Sequence, residues 1–491
     1  MLKQTFEKYT LKYRQMPNPM KAGLWFTISG FLQKTISFLT MPIITRLLTT
    51  EEYGVVTVFN SWESIFLLFV TLYVFYGAFN TAMMDFEKER DGYSSSLVGF
   101  ITVSTIVWFA IYFVFRDFVN HLTGMTFTLS CIMFIQIFFQ GVVSVWFSRL
   151  KFSYDYKPIV ISTIVLFGLS PIFSIIGIYE FPHHHVEAKL IGHVCAYSIV
   201  GIYAVCSLLN KGHCFYLKRY WKYAVSISLP LVIHYVASLV LGQADRIMIS
   251  RFISDSYAAI YAVAFSVSMI LTILTTSANE AIAPRLYECI KYNSLHRVKN
   301  AINILLVLVV VALFYVMLFG PEIIMVLATP DYYEAKWAIP PVMGSLFFTF
   351  LYQIFANIEF YYKKTSYIIT ASIAAAIVNI VLNALFIPRY GFLAAAYTTL
   401  VCYILFGIFH YVCAKYVARK EGLAWPFQMR LLFALSILLF IALLGALILY
   451  HYTYLRYFVI LVFSALLYLQ RNKIIGFVKH IKVNNENEAG R

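Results

Sequence analysis

Ionisable side chains are scarce within the long apolar stretches of this 491-residue sequence, and each one could bind charge at the depth of a lipid bilayer. A charge at the bilayer centre costs about 2.5–3.5 kcal/mol on insertion scales, so such residues face a partner or a water-filled cavity. Because basic and hydrogen-bonding side chains can hold an anion, we predict substrate-binding roles for Lys34, Asn60, His234, Arg246, Arg251 and Arg285. Because carboxylates can carry a proton or another cation, we predict ion-coupling roles for Glu63, Asp245, Glu280 and Glu359.

Each candidate also has a purely structural interpretation, and the sequence leaves both interpretations open. The structural alternatives are an ion pair Lys34–Glu63, a salt bridge Asp245–Arg246 at a helix end, Arg285 and Glu359 extended to the cytoplasmic surface, and a packed His234.

Metal, cofactor and catalytic motifs do not emerge from the sequence. The seven cysteines form no CxxC pair, and buried cysteine usually behaves as a small apolar residue. The histidines at 183–185 fall in a loop, which makes a poor metal site. We find no P-loop, GxSxG, HExxH or dinucleotide-binding pattern in a usable context. We therefore expect neither a metal nor a cofactor, and not an enzyme.

The composition excludes a soluble domain. Hydrophobic residues make up 61% of the chain, aromatic residues 18% and charged residues only 12%, whereas a soluble domain has about 45–50% apolar and about 25% charged residues. The net charge of +15 would suggest nucleic-acid binding in a soluble protein. Basic loops on the cytoplasmic side of a membrane protein explain it better.

Fourteen apolar runs are long enough to cross a bilayer as helices, and they predict an all-α polytopic membrane protein. They lie at 22–46, 55–82, 94–115, 126–148, 158–179, 188–209, 223–250, 257–284, 300–328, 337–362, 366–387, 391–414, 429–450 and 456–471. With the N-terminus inside, 29 of the 38 Lys and Arg residues fall on the cytoplasmic side. This bias predicts that both termini are cytoplasmic. The polar N-terminal residues could also form a short surface helix.

A weak internal repeat appears when the sequence is shifted by 205 positions. The segment RLLTTEEYGVVTVFNS at 46–61 then aligns with RFISDSYAAIYAVAFS at 251–266. Six predicted spans precede the second copy, so both copies have the same orientation. This predicts two lobes related by a pseudo-twofold axis along the membrane normal, a geometry in which transporters bind substrate between the halves. A chance alignment of apolar segments is the alternative.

Three segments carry a resemblance to a known family. They are KTISFLTMPIITRLLTTEEYGVV at 34–56, GQADRIMISRFISDSYAAIYAVAF at 242–265 and ANEAIAPRLYE at 278–288. In these segments the chain resembles the polysaccharide-transporter branch of the multidrug/oligosaccharidyl-lipid/polysaccharide exporter superfamily, over nearly its whole length. The match at Tyr53–Gly54 is good, whereas Ala258–Ala259 replaces this pair in the second copy.

The resemblance implies two six-helix lobes around a cavity, two additional C-terminal helices and alternating access. The expected divisions are a cytoplasmic N-terminal segment at 1–21, an N-lobe at 22–210, a cytoplasmic linker at 211–222, a C-lobe at 223–414, helices 13 and 14 at 415–471, and a cytoplasmic tail at 472–491.

The resemblance also implies a flippase in the bacterial inner membrane. Its expected cargo is an oligosaccharide on polyprenyl pyrophosphate, such as an O-antigen, capsule or exopolysaccharide unit, moved from the cytoplasmic to the outer leaflet. Further expected partners are membrane lipid, a coupling H⁺ or Na⁺, and polysaccharide polymerase machinery. Among the basic candidates, Lys34 is the leading contact for the pyrophosphate, because it lies near the middle of the first span.

Two other functions remain open at this stage. One is a multidrug or cation antiporter of the same superfamily, which the basic Lys34 disfavours because a cationic substrate would need an acidic cavity. The other is a membrane glycosyltransferase or polysaccharide polymerase, which would need a larger extramembrane loop with catalytic groups. A scaffold without transport activity would leave the intramembrane charges unexplained.

Overall fold

The computed structural model describes Tyr13 and residues 15–470. The predicted cytoplasmic tail at 472–491 lies outside the described residues, as does most of the predicted N-terminal surface helix. Within the described part the chain forms helices and no strand. The seventeen α-helices of the described residues are α1 Asn18–Leu47, α2 Thr50–Thr71, α3 Gly77–Asp85, α4 Arg90–Val114, α5 Arg116–Thr123, α6 Phe127–Phe152, α7 Tyr156–Glu180, α8 His185–Gly212, α9 Lys218–Phe252, α10 Asp255–Lys291, α11 His296–Leu318, α12 Gly320–Leu327, α13 Ile339–Tyr361, α14 Thr365–Tyr390, α15 Leu393–Lys420, α16 Met429–Leu449 and α17 Thr453–Leu469.

Twelve of these helices are long and apolar enough to cross a membrane, which agrees with the predicted all-helical membrane fold. They are α2, α4, α6 to α11 and α13 to α16. Helix α1, which contains the predicted first span, is not among the twelve, and α17 has only 17 residues. The count of fourteen spans and the arrangement in two lobes therefore stay predictions.

The described residues up to Ala262 form one compact unit. Helix α8 packs against α7, α6 and α4, helix α1 packs against α7, and α9 packs against α2 and α3. Apolar side chains form the centre of this unit, among them Phe79, Leu97 and Val142, which are completely buried. Polar atoms in this setting need partners close by, since the apolar surroundings supply none.

The junction between α1 and α2 is fixed by its own sequence. Thr49 caps α2 by accepting a hydrogen bond from the Glu52 backbone N–H at 3.2 Å, and the Glu52 carboxylate accepts one from the Thr49 N–H at 2.8 Å. This reciprocal pair satisfies two backbone donors that a helix start leaves free. The same Glu52 carboxylate lies 2.8 Å from Nδ1 of His185, which ties the start of α2 to the start of α8.

The helix boundaries follow the 205-residue offset of the sequence repeat. Helices α1 and α9 end at Leu47 and Phe252, and helices α2 and α10 begin at Thr50 and Asp255. The starts of α2 and α10 lie against each other. A Cβ atom added to Gly54 would come 2.0 Å from the backbone oxygen of Asp255, so this approach requires glycine.

The described residues from Val263 onward form the second compact unit. Helix α13 packs against α15, α15 against α14, and α11 against α13 and α16. The C-terminal helices are fixed by polar contacts at one end. Tyr450 donates a hydrogen bond of 2.5 Å to the backbone oxygen of Met317, and Arg456 forms an ion pair with Glu322. Arg456 is buried, so this pair anchors α17 rather than extending into solvent.

Candidate functional site

A buried polar network of the first unit lies where α9 packs against α2. Arg246 is buried on α9, and its Nη1 donates to the Gly242 backbone oxygen at 2.8 Å and to Oε1 of Gln243 at 2.9 Å. From α2, Ser61 Oγ donates to the same Gln243 oxygen at 3.2 Å and to the Thr57 backbone oxygen at 3.0 Å. A fixed cation is thereby held between two apolar helices.

Asp245, which precedes Arg246 in the chain, contacts helix α10. One carboxylate oxygen of Asp245 accepts a hydrogen bond of 2.5 Å from the hydroxyl of Tyr261, six residues after the start of α10 at Asp255. Asp245 and Tyr261 are both buried. A hydrogen bond to an ionised group is stronger than a neutral one, so this contact fixes the acidic side of the network.

Glu63 is the most isolated predicted carboxylate of the first unit. It is 5% exposed, and its Oε1 atom has no hydrogen-bond partner among the described residues. Lys34 does not form an ion pair with it in the described part of the chain. A buried carboxylate with an open acceptor suits a group that takes up and releases a cation.

The remaining predicted residues of this unit lie at more accessible positions. Lys34, Asn60 and Arg251 are exposed on α1, α2 and α9. His234 is half-buried, and its Nδ1 has no hydrogen-bond partner among the residues described. Its ring lies 5.8 Å from that of Tyr235.

Two predicted residues on α10 belong to the second unit. Glu280 is exposed and Arg285 is half-buried, and neither forms an ion pair with another described residue. Their neighbour Asn279 accepts a hydrogen bond of 2.8 Å from the side chain of Asn357 on α13. Thus α10 carries both charged and amide groups along one stretch of helix.

Glu359 is completely buried on α13, so it does not extend to the membrane surface. Its two carboxylate oxygens lie 2.9 and 3.1 Å from Nδ1 of His410 on α15, which is also completely buried. The rings of Tyr352 and Phe406 lie 5.5 and 4.7 Å from the His410 ring. This acidic group therefore has a partner within its own unit and is enclosed by aromatic rings.

A ladder of neutral polar side chains joins α14 to α15, and the sequence analysis did not identify it. Asn383 donates to Asn379 at 3.3 Å, Asn379 donates to Thr399 at 3.3 Å, and Thr398 donates to Asn383. All four are buried. The signal was the four-residue spacing of the two asparagines, which places them on one helix face, but no charged residue lies beside them in the sequence to draw attention to that face.

A second group that the sequence analysis did not identify lies on α8. Lys189, His193 and Tyr197 follow one another at four-residue spacing and therefore share one face. His193 Nδ1 lies 2.7 Å from Ser170 Oγ on α7, and the rings of His193 and Tyr197 are 4.9 Å apart. The partners Gln243, Tyr261 and His410 were missed for another reason, since only the fold brings them to the charges they satisfy.

No cluster of three or more potential metal ligands occurs among the residues that the structure describes. The polar groups are dispersed along several helices instead. Such an arrangement can bind a charged, hydrogen-bonding molecule at several points and can hold a proton or another cation on a carboxylate.

Comparison with known sequences identifies two matching family models and two related proteins. The family model described as polysaccharide biosynthesis protein matches residues 20–289, and the MatE family model matches residues 230–385. A protein of the Lsg locus of Haemophilus influenzae is 23% identical over 386 residues, which is 73% of this chain and 89% of that protein. An uncharacterized membrane protein of Methanocaldococcus jannaschii is 23% identical over 424 residues, covering 79% of this chain and 82% of the relative.

Solved structures share the fold at lower sequence identity. The lipid II flippase MurJ in an inward closed conformation aligns with a TM-score of 0.69 and 16% identity, over 92% of this chain and all of that chain. An inward-facing multidrug resistance transporter of the MATE family aligns with a TM-score of 0.61 and 12% identity, over 79% of this chain and 95% of that chain. From the family match, which covers more than half of its residues, the chain belongs to the polysaccharide biosynthesis protein family.

Proposed function

We propose that this protein is a flippase that moves an oligosaccharide linked to polyprenyl pyrophosphate from the cytoplasmic to the outer leaflet by alternating access. The family match and the MurJ-like fold support a transporter rather than an enzyme. Such a cargo needs a protein, because each sugar hydroxyl that loses its hydrogen bonds in hydrocarbon costs several kcal/mol. A polar path for the headgroup removes this cost while the lipid tail stays in the bilayer.

The observation that carries the proposal is the unpaired ammonium group of Lys34. This lysine lies near the middle of the 30-residue helix α1, and it is exposed and has no carboxylate partner among the described residues. A cation at this depth is stable only beside water or an anion. A pyrophosphate headgroup supplies two or more negative charges to such a group. Arg246 and Arg251 of the same unit are further candidate contacts, and Arg285 is the predicted substrate contact of the second unit.

Glu63 is the proposed coupling group. Movement of an anion outward from a negative cell interior is favoured by about 2.3 kcal/mol per charge at 100 mV, so the energetically costly step is the return of the empty basic protein. A cation or proton on Glu63 would reduce the net charge that changes during the cycle. Asp245, Glu280 and Glu359 are the other predicted coupling residues.

Flipping of a fluorescent lipid-linked oligosaccharide in proteoliposomes tests the proposal. Wild-type protein is expected to expose the glycan to an outside enzyme, and Lys34→Ala to abolish this exposure. Lys34→Arg, which keeps the charge, is expected to retain part of it. Lys211→Ala is the matched control, because Lys211 is an exposed lysine at the end of α8.

Full activity of Lys34→Ala, with normal insertion into the liposomes, would remove Lys34 from the site. Absence of flipping by the wild-type protein for neutral and acidic glycans alike would contradict the proposed function. Collapse of the H⁺ and Na⁺ gradients tests the coupling separately. An unchanged rate after both gradients are collapsed would exclude coupling through Glu63.

A second candidate function is a cation antiporter, which the open acceptor of Glu63 and the MatE match favour. A cationic substrate could occupy the position beside this carboxylate. Accumulation assays with ethidium in cells that lack other exporters would separate the two functions. Efflux that depends on Glu63 and not on Lys34 would support the antiporter.

A further inference from the structure

The helix that starts at Thr50 is interrupted by a break of unusual backbone geometry. Helix α2 ends at Thr71 and α3 begins at Gly77, and within the break Leu72 and Tyr73 have φ angles of 47° and 48°. Left-handed geometry is costly for residues that carry a Cβ atom. Two consecutive residues of this kind persist only where the surroundings hold them in place, and such sites are often functional.

Neighbouring helices satisfy the backbone at this break. Ser104 on α4 donates a hydrogen bond of 2.6 Å to the backbone oxygen of Val70, and Ser148 on α6 donates one of 2.8 Å to that of Phe75. The Tyr73 N–H donates to the side chain of Thr71 at 3.2 Å. Interrupted helices occur in membranes where side chains satisfy the freed groups in this way. The break is therefore a supported feature of the fold.

Three tyrosine rings surround the break, and we name them the tyrosine triad: Tyr73, Tyr76 and Tyr235. Tyr235 comes from α9, and the ring centroids lie 5.1 Å apart for Tyr73 and Tyr76, 5.4 Å for Tyr73 and Tyr235, and 6.1 Å for Tyr76 and Tyr235. Tyr76 is 52% exposed. The hydroxyls of Tyr73 and Tyr76 form no hydrogen bond with another described residue.

Other tyrosines of the same unit differ in this respect. Tyr220 and Tyr223, on the same helix as Tyr235, donate hydrogen bonds of 2.6 Å and 2.5 Å to Glu89 and Asp85. The hydroxyls of these two tyrosines thus already have hydrogen-bond partners within the protein. The triad instead combines an accessible ring face with two hydroxyls that have no partner among the described residues.

We propose that the tyrosine triad binds a pyranose ring of the lipid-linked glycan, an inference that rests on the proposed function. The C–H face of a pyranose packs on an aromatic ring, and its hydroxyls need hydrogen-bond partners that a tyrosine O–H supplies. Phenylalanine would supply only the first of these contacts. His234, next to Tyr235, adds a ring nitrogen without a partner in the described structure.

The position of the triad indicates when the sugar binds. The break lies about 33 Å along the helix axis from Thr50, at the end that the topology predicts to be cytoplasmic. The sugar would therefore bind on entry from the inner leaflet. Lys34 is proposed to hold the phosphate, so the triad would give selectivity for a glycosylated lipid over the bare carrier.

The first test compares two probes in proteoliposomes: polyprenyl pyrophosphate that carries one glucose, and the same lipid without sugar. Tyr76→Ala is expected to slow flipping of the glycosylated probe about tenfold and to change that of the bare lipid less than about twofold. Tyr76→Trp, which keeps a ring, is expected to restore most of the rate. Tyr179→Ala, at an exposed tyrosine of α7, is the control.

A second measurement separates this inference from the proposed function. Saturation-transfer NMR with methyl glucoside detects sugar binding to the purified protein without any transport, and Tyr76→Ala is expected to lose the signal that wild type and Tyr179→Ala give. If wild type flips neither lipid but gives the methyl glucoside signal that Tyr76→Ala lacks, sugar binding by the triad is supported and the proposed flippase function fails. If Tyr76→Ala slows both lipids equally, or neither, and keeps the methyl glucoside signal, the inference fails.

Discussion

Glu63 and Glu359 are both buried carboxylates on apolar helices, but their surroundings differ. Glu359 is paired with His410 at 2.9 Å and enclosed by aromatic rings. Glu63 keeps one oxygen without a hydrogen-bond partner among the described residues. A carboxylate whose two oxygens both contact a buried partner stabilises the fold, as Glu359 does. A carboxylate oxygen without a hydrogen-bond partner in the described part of the chain, as in Glu63, remains available for a cation. The comparison separates a structural charge from a candidate coupling charge.

The largest expected effect on the unfolding temperature is at the buried pair Glu359–His410. Glu359→Ala removes the partner of a completely buried histidine, which destabilises a protein by about 3–5 kcal/mol when one member of a buried pair is lost. The unfolding temperature in detergent should fall strongly. The unfolding temperature of Glu359→Gln should fall much less, because its side-chain oxygen can still accept a hydrogen bond from His410. Equal unfolding temperatures for wild type and Glu359→Ala would show that the pair is not structural.

Glu63→Gln should give the opposite pattern. It removes the charge at the open acceptor without creating a cavity, so the unfolding temperature should stay unchanged or rise. Flipping driven by an ion gradient should fall at least about tenfold, which corresponds to about 1.4 kcal/mol in the barrier. A variant that unfolds at lower temperature and transports normally would reverse the roles assigned to the two carboxylates.

Tyr261→Phe tests the acidic part of the α2–α9 network. The substitution deletes the hydroxyl that donates to Asp245 at 2.5 Å. A hydrogen bond to a charged group contributes about 1.5–3 kcal/mol, so a moderate loss of unfolding free energy is expected. Tyr397→Phe, at an exposed tyrosine of α15, is the matched control and should change nothing measurable. Equal losses of unfolding free energy in the two variants would mean that the hydrogen bond to Asp245 stabilises the fold no more than an exposed tyrosine hydroxyl does.

The smallest effect is expected at an exposed contact of the second unit. Asn303 donates a hydrogen bond of 2.9 Å to Gln428 in an exposed position. Asn303→Ala should lower the free energy of unfolding by less than about 1 kcal/mol, because water replaces the lost bond. Its flipping rate should equal that of the wild type. A loss as large as that of Glu359→Ala would remove the distinction between exposed and enclosed contacts.

The fold was largely predictable from the sequence because bilayer thickness and backbone hydrogen bonding leave few choices. The composition and the lengths of the apolar runs were enough to predict the all-helical membrane fold. The helix boundaries around Leu47 and Phe252 follow the 205-residue offset, although the sequence repeat was used only to predict two lobes. The break at Leu72 and Tyr73 was not predictable, since the predicted second span runs through it and neither residue is glycine or proline.

The candidate site was predictable only in part. Charged residues in apolar runs can be read directly, which identified Arg246, Asp245 and Glu359. Their partners could not be read, because the spacing of Tyr261 or His410 along the chain does not reveal which side chain each one meets. Exposure could not be read either, so Glu359 and the exposed Glu280 looked equivalent. The binding and coupling roles of all these residues stay predictions.

The contact of Gly54 with Asp255 has a consequence for the ancestry of the two halves. At the matching position of the second copy the chain carries Ala259, which is completely buried. The second copy of the repeat thus carries a methyl group at the position where the first copy leaves no room for one. If the two copies of the repeat arose by duplication, they have since diverged at this position. Exchanging Gly54 and Ala259 should destabilise the protein more than the small difference between glycine and alanine suggests, because the methyl group at position 54 would meet the Asp255 backbone.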